Sequence, residues 1–239
     1  MSHARLPRAF RWLGRFPFTI LLLTILAVAA FLTNSHAGDL SARWQRRLGV
    51  SARDIWKASW LRLITAALVT KGGWVFAEAL AMIALAVGVA EWLTSTRRAA
   101  ATFWGVHLLT FLTEATLIIW PLHRWGGRSG AVLALTRDVG PSAGYFGAIG
   151  LVVARLKSPW HRLAGSAVEA ILLIAFFLPA RPDASGKTQP ESKLFADLAH
   201  FIAFPLGWWS AAWSRSSSSF SSFTENSSTE NSSTEKAGH

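Results

Sequence analysis

The chain has 239 residues, 51% of them hydrophobic and only 15% charged, a balance that excludes an ordinary soluble domain. It has no cysteine, which excludes disulfides, thiol catalysis and cysteine-based zinc sites. The net charge of +11 is spread in short basic clusters between apolar runs, the pattern of loops facing anionic lipid, so nucleic acid is not an expected partner.

A membrane-spanning helix needs about 20 mostly apolar residues. The first such run is Phe16 to Leu32, preceded by Arg5, Arg8, Arg11 and Arg15. A signal peptide has the same layout, and Asn34-Ser35-His36-Ala37 would suit cleavage, but the later runs favour a first transmembrane helix. Ala37 to Leu61 is amphipathic and mixed in charge, as expected of an interfacial helical loop. The second span is Trp74 to Leu93, followed by Arg97 and Arg98. The third is Ala99 to Trp120, stopped by Pro121 and followed by a glycine-rich loop, His123 to Gly130. The fourth, Pro141 to Leu156, is short and rich in small residues, and Arg155, Lys157 and Arg162 follow it. The fifth is Leu163 to Pro179. After a polar loop, Arg181 to Ser192, the sixth is Leu194 to Trp213. Trp12, Trp92, Trp120, Trp160 and Trp213 lie at the ends of these runs, where an indole anchors among headgroups.

The expected fold class is all-α, a polytopic membrane protein built as a six-transmembrane-helix bundle. The expected division is a basic cytoplasmic N-terminus at 1–15, a membrane domain at 16–213 and a Ser/Thr/Asn-rich tail at 214–239. The tail repeats TENSS at Thr224–Ser228 and Thr229–Ser233 and is too polar to offset its ordering entropy, so it reads as disordered. Six spans put both termini on one side, and the two shortest loops are the most densely basic, which makes that side cytoplasmic. The expected location is a bacterial inner membrane.

Ionisable groups inside spans are costly and face the bundle interior. Here they are Glu78, Glu91, His107, Glu114, Glu169, Asp197 and His200. They would suit a proton-coupled transporter, but the chain has no internal repeat or paired broken helices. They also lack ligand spacing of the HExxH kind, so no metal is expected.

The stretch Asp138 to Gly150, DVGPSAGYFGAIG, places Gly140-Pro141 directly before Ser142. Proline suits a first helical turn, so a helix should begin here. Ser142 is then either a helix cap or a nucleophile at a helix N-terminus, where unpaired N–H groups favour developing negative charge. His200, early in the last span, is either a packing residue or the base that takes the serine proton. Asp197, three residues earlier on the same face, either caps the last helix or holds the imidazole.

These residues resemble the rhomboid intramembrane serine proteases. Gly140-Pro141-Ser142-Ala143 stands where that family has Gly-x-Ser-Gly at the start of its fourth core helix, and Gly150 matches a later glycine. His200 and Gly207 fit the sixth-helix motif, with Ala203 replacing a glycine. Trp60 to Thr65 and Ala90-Glu91 fit the segments flanking the second helix. The resemblance covers Phe16 to Trp213. It implies a rhomboid-like bundle, a Ser142/His200 catalytic dyad supported by Gly140, Phe146 and Asp197, no cofactor, and transmembrane proteins as substrates or clients within membrane lipid. Phe146 corresponds to the tyrosine that stacks on the family's histidine. The departures are Thr70, Val75 and Ala79, where the family's second helix carries His, His and Asn, the last two of which help stabilise the oxyanion. Lys71 is a candidate substitute donor, against the simpler role of a snorkelling helix-end lysine. The lost donors make a non-cleaving, rhomboid-like binder of transmembrane segments the alternative function.

Overall fold

The structure, a computed structural model, describes residues 14–179 and 190–234, with side chains as far as residue 212. Most of the basic N-terminus, Trp12, most of the Arg181–Ser192 loop and the Trp213 side chain lie outside the described residues. The described residues are helical, with only two isolated β-bridges.

Helix α1, Pro17–Thr33, starts with proline in its first turn and ends at Asn34 in the left-handed conformation. Its N-terminus is held from far along the chain. The buried Glu91 carboxylate accepts the Phe18 and Thr19 N–H groups at 3.1 and 2.9 Å and the Thr19 hydroxyl at 2.7 Å. An anion at a helix N-terminus is favoured by the helix dipole. The Thr96 hydroxyl donates to the same carboxylate at 2.8 Å. One side chain therefore ties together α1, the end of α5 (Gly73–Leu93) and the start of α6 (Thr96–Trp125).

Both α5 and α6 contain a π-helical turn, at Ile83–Val87 and Glu114–Ile119 respectively. The second explains why Pro121 does not stop the third span. The hydrogen-bond ladder is already shifted there, so the proline's missing N–H breaks no regular α bond, and the helix runs on to Trp125. The glycine-rich loop expected at His123–Gly130 is likewise mostly helical. Gly126 breaks the chain only briefly before α7, Gly127–Leu135.

Between α1 and α5 lie three short helices, α2 (Ala42–Leu48), α3 (Ala52–Trp56) and α4 (Leu61–Ala67). They form a platform organised around Asp54, in line with the expected helical loop. Asp54 forms a capping box with Ser51. It also pairs with Arg137 at 2.8 Å and Arg62 at 3.6 Å. Burial pushes the Asp54 carboxyl up, but the Ser51 hydrogen bonds and the two arginines outweigh it and hold the group below its ordinary value.

Helix α8, Ser142–Val153, is the centre of the bundle and packs most extensively on α10 (Pro190–Thr234) and α6. Its glycines set those distances. A Cβ on Gly144 would meet the Phe103 ring, and one on Gly147 would meet Val106, both on α6. Gly150 faces the Phe204 carbonyl and Gly207 faces the Gly147 carbonyl, so α8 and α10 touch backbone to backbone. Helix α9, Trp160–Phe177, lies outside and buries only Gly165 and Leu172. Helix α10 continues past Trp213 to Thr234, through the segment expected to be disordered, and no glycine or proline interrupts it beyond Gly207.

Among the described residues, three helices, Gly73–Leu93, Thr96–Trp125 and Trp160–Phe177, are long and apolar enough to cross a membrane, and α1 and α8 are shorter apolar helices. Leu85, Leu117, Ile171, Ile174 and Phe177 are among many large apolar side chains left exposed. On a water-soluble surface such a patch would drive association, and in lipid it is the ordinary outer face. Trp92, Trp120 and Trp160 are exposed near helix ends, as interfacial anchors are. These features mark a membrane protein.

Candidate active site

Ser142 reaches the head of α8 through a short extended segment held by the platform. Asp138 and Val50 exchange backbone hydrogen bonds at 2.8 and 3.0 Å, and the Gly140 N–H donates to the Ala66 carbonyl at 2.8 Å. Gly140 has φ +142, a conformation in which a side chain would be strained. Pro141 takes the cap position, and Ser142 is the first helical residue. Proline has no side-chain acceptor, so no side chain caps this helix start. The first N–H groups of a helix have no partner within it, and Ser142 stands among the residues that carry them.

His200 stands on α10. Its ring stacks on Phe146, with centroids 4.3 Å apart and planes 29° apart. Phe146 lies one helical turn beyond Ser142 on the same face of α8. Phe146 meets His200, and four residues further along α8 Gly150 meets Phe204 and Trp208, so contacts advance together along the two helices and α8 and α10 run in parallel. The head of α8 and the early turns of α10 are therefore side by side. His200 Nε2 is buried and has no hydrogen-bond partner, so no such bond joins it to the Ser142 hydroxyl in this structure.

Phe146 and His200 thus meet, and Ser142 lies one helical turn before Phe146 at the head of α8, with Gly140 just ahead of it. Asp197 does not hold the imidazole, which corrects the expectation for it. Its carboxylate pairs with Lys193, one turn earlier on α10. The same ammonium donates to the Ala175 carbonyl at 2.7 Å, tying α10 to the end of α9. A cation at the adjacent i, i+4 position on its own helix outcompetes a neutral ring.

The positions expected for oxyanion donors supply little. The Thr70 hydroxyl is buried and accepts the Gly72 N–H at 3.3 Å. Val75 is 43% exposed and Ala79 is buried, and neither carries a donor. Lys71 neither snorkels freely nor points at an empty site. It donates to Ser192, at the start of α10, at 2.8 Å and pairs with Asp138 at 3.6 Å. Burial pushes the Asp138 carboxyl up, and the Lys71 charge and the Val139 N–H draw it only partly back.

One face of α6 carries further buried polar groups. His107 Nε2 lies 2.9 Å from the Leu63 carbonyl. His107 Nδ1, the Thr110 hydroxyl and both Glu114 oxygens are buried with no hydrogen-bond partner. Sequence reading singles out His107 and Glu114 but misses Thr110, which the spacing of one helical face would have added. Ser192 and Lys193 are also missed, because nothing in a loop composition signals a clamp. No group of three His, Cys, Asp or Glu that could hold a metal ion occurs among the described residues.

No protein-family model, no curated protein and no solved structure matches the chain.

Proposed function

We propose that the chain is a rhomboid-like intramembrane serine protease, with six spans, both termini cytoplasmic, and a location in a bacterial inner membrane. The observation that carries this reading is the stack of His200 on Phe146, one helical turn along α8 from Ser142. In the reaction Ser142 Oγ attacks the scissile carbonyl of a transmembrane segment while His200 takes its proton. His200 then delivers that proton to the leaving amine, and water hydrolyses the acyl-enzyme. The unpaired N–H groups at the head of α8 receive the oxyanion. Helix α8 has 12 residues, about 18 Å at 1.5 Å per residue, well short of a hydrocarbon core of about 30 Å. That length favours a serine sunk below the lipid surface.

The test is cleavage of a transmembrane substrate in vesicles together with labelling by a fluorophosphonate probe. Ser142→Ala and His200→Ala are expected to abolish both while insertion is unchanged. Labelling that survives Ser142→Ala removes the reading.

A specific observation favours a second reading, a rhomboid-like binder that does not cut. Val75 and Ala79 bring no donor, His200 Nε2 is unpaired, and removing one oxyanion donor typically costs about 10²–10³ in rate. Binding of a transmembrane peptide without any product after long incubation selects this reading, and steady product formation eliminates it.

A further inference from the structure

A groove of about 760 Å³ runs between α9 and α10 on the outer face of the bundle, remote from Ser142. Gly165, Ser166 and Glu169 line it from α9, with Arg162 two turns before Glu169 at the helix end, and Trp208 and Ala212 line it from α10. Glu169 lies at the middle of the 18-residue α9, about 13 Å from either end at 1.5 Å per residue. It is half-buried, and it makes no hydrogen bond or ion pair among the described residues. An ionisable group at that depth is costly when it faces lipid, and it is ordinarily matched by a partner. From this charge in this groove we infer that the groove docks a transmembrane helix of another protein carrying a lysine or arginine near its middle.

The other occupants fit worse. A phospholipid holds its cationic group at headgroup level, about 13 Å away from Glu169. A second copy of this chain brings no such charge, because its described apolar helices carry Lys and Arg only at the ends of their apolar stretches (Arg97, Arg98, Arg124, Arg162, Lys193 and Arg215). The small side chains of Gly165, Ser166 and Ala212 leave room for a helix backbone to come close, as interfaces within membranes require. The inference rests on the reading of this chain as a bundle that engages transmembrane segments. It adds a site for the client separate from the Ser142/His200 pair.

The chain has no cysteine, so Ser158→Cys, exposed in the loop before α9 and outside the groove lining, gives a single labelling point in the full-length protein. The labelled protein is reconstituted in phosphatidylcholine vesicles with leucine-based single-span peptides carrying an acceptor dye and one central Lys, Leu or Glu. Energy transfer is expected to show the Lys peptide binding about three- to thirtyfold more tightly than the Leu peptide, and the Glu peptide most weakly. Glu169→Gln should erase the Lys preference, Glu169→Asp should keep part of it, and Ser142→Ala should leave it whole. Equal binding of the Lys and Leu peptides, or a preference that survives Glu169→Gln, overturns the inference. Should Glu169→Gln fail to insert, the order of the three peptides on the parent chain decides. A Lys preference without cleavage removes only the protease reading, and cleavage without a Lys preference removes only this one.

Discussion

Asp54 in the loop platform and Glu114 in α6 are both buried carboxylates, and their surroundings differ sharply. Asp54 takes hydrogen bonds from Ser51 and ion pairs from Arg62 and Arg137, and these also tie the platform to the segment that leads to Ser142. Glu114, Thr110 and His107 Nδ1 have no partner, and the same holds for His200 Nε2. A satisfied network costs little to bury and fixes architecture. An unsatisfied buried polar group costs about 1–3 kcal/mol, so it opposes stability wherever it sits. The platform and the Glu91 cluster at the head of α1 are therefore where polar side chains hold the fold, and the α6 face that carries Glu114 is held by apolar contact and close helix approach.

Substitutions can break or sharpen that contrast. The largest effect is expected where α8 and α10 touch. Gly207→Leu would put a side chain against the Gly147 carbonyl, and a loss above about 4 kcal/mol is expected, read as failure to recover folded protein from detergent. Next is Glu91→Gln, which turns an amide N–H toward donors at the head of α1. It should cost about 2–3 kcal/mol, measured as a drop in thermal midpoint. Asp54→Asn should cost about 1–2 kcal/mol, since both arginine partners are partly exposed. The sign of its pH dependence follows from a folded pKa held below 3.8. Its stabilisation is full above the unfolded value and is lost as pH falls through the folded one. An acid titration should therefore weaken the parent below about pH 4 and Asp54→Asn much less. The smallest effect is Thr110→Val, which removes an unpaired buried hydroxyl at equal volume and should raise the thermal midpoint slightly, by up to about 1 kcal/mol. A large loss there would mean that the α6 face is satisfied after all.

Much of the fold is legible in the sequence, because long apolar runs report helices directly. The helix starts at Pro17, Gly73, Thr96 and Ser142 fall within a few residues of the apolar runs. Pro121 and the glycines after it misled, because a π turn and a one-residue break are set by tertiary packing and not by composition. At the candidate site, a Gly-Pro pair marks Ser142 as a helix start, and the partnership of Phe146 with His200 is picked out only through the family resemblance. Asp197 is legible only as a charge. Its choice of Lys193 over His200 depends on which way two side chains turn, and sequence spacing allows either. Whether six segments cross the bilayer is likewise set by tilt and depth, which residue counts leave open.

The π turn at Ile83–Val87 has a consequence for how this architecture can change. Each residue in an α-helix advances the chain by about 100°, so the wider turn resets the phase of everything after it. Glu91 meets the head of α1 only because Gly88–Leu93 is rotated by that widening. Deleting one residue from the turn would straighten the helix and swing the carboxylate toward a different neighbour. The first helix would then be left unmoored, although its own sequence had not changed.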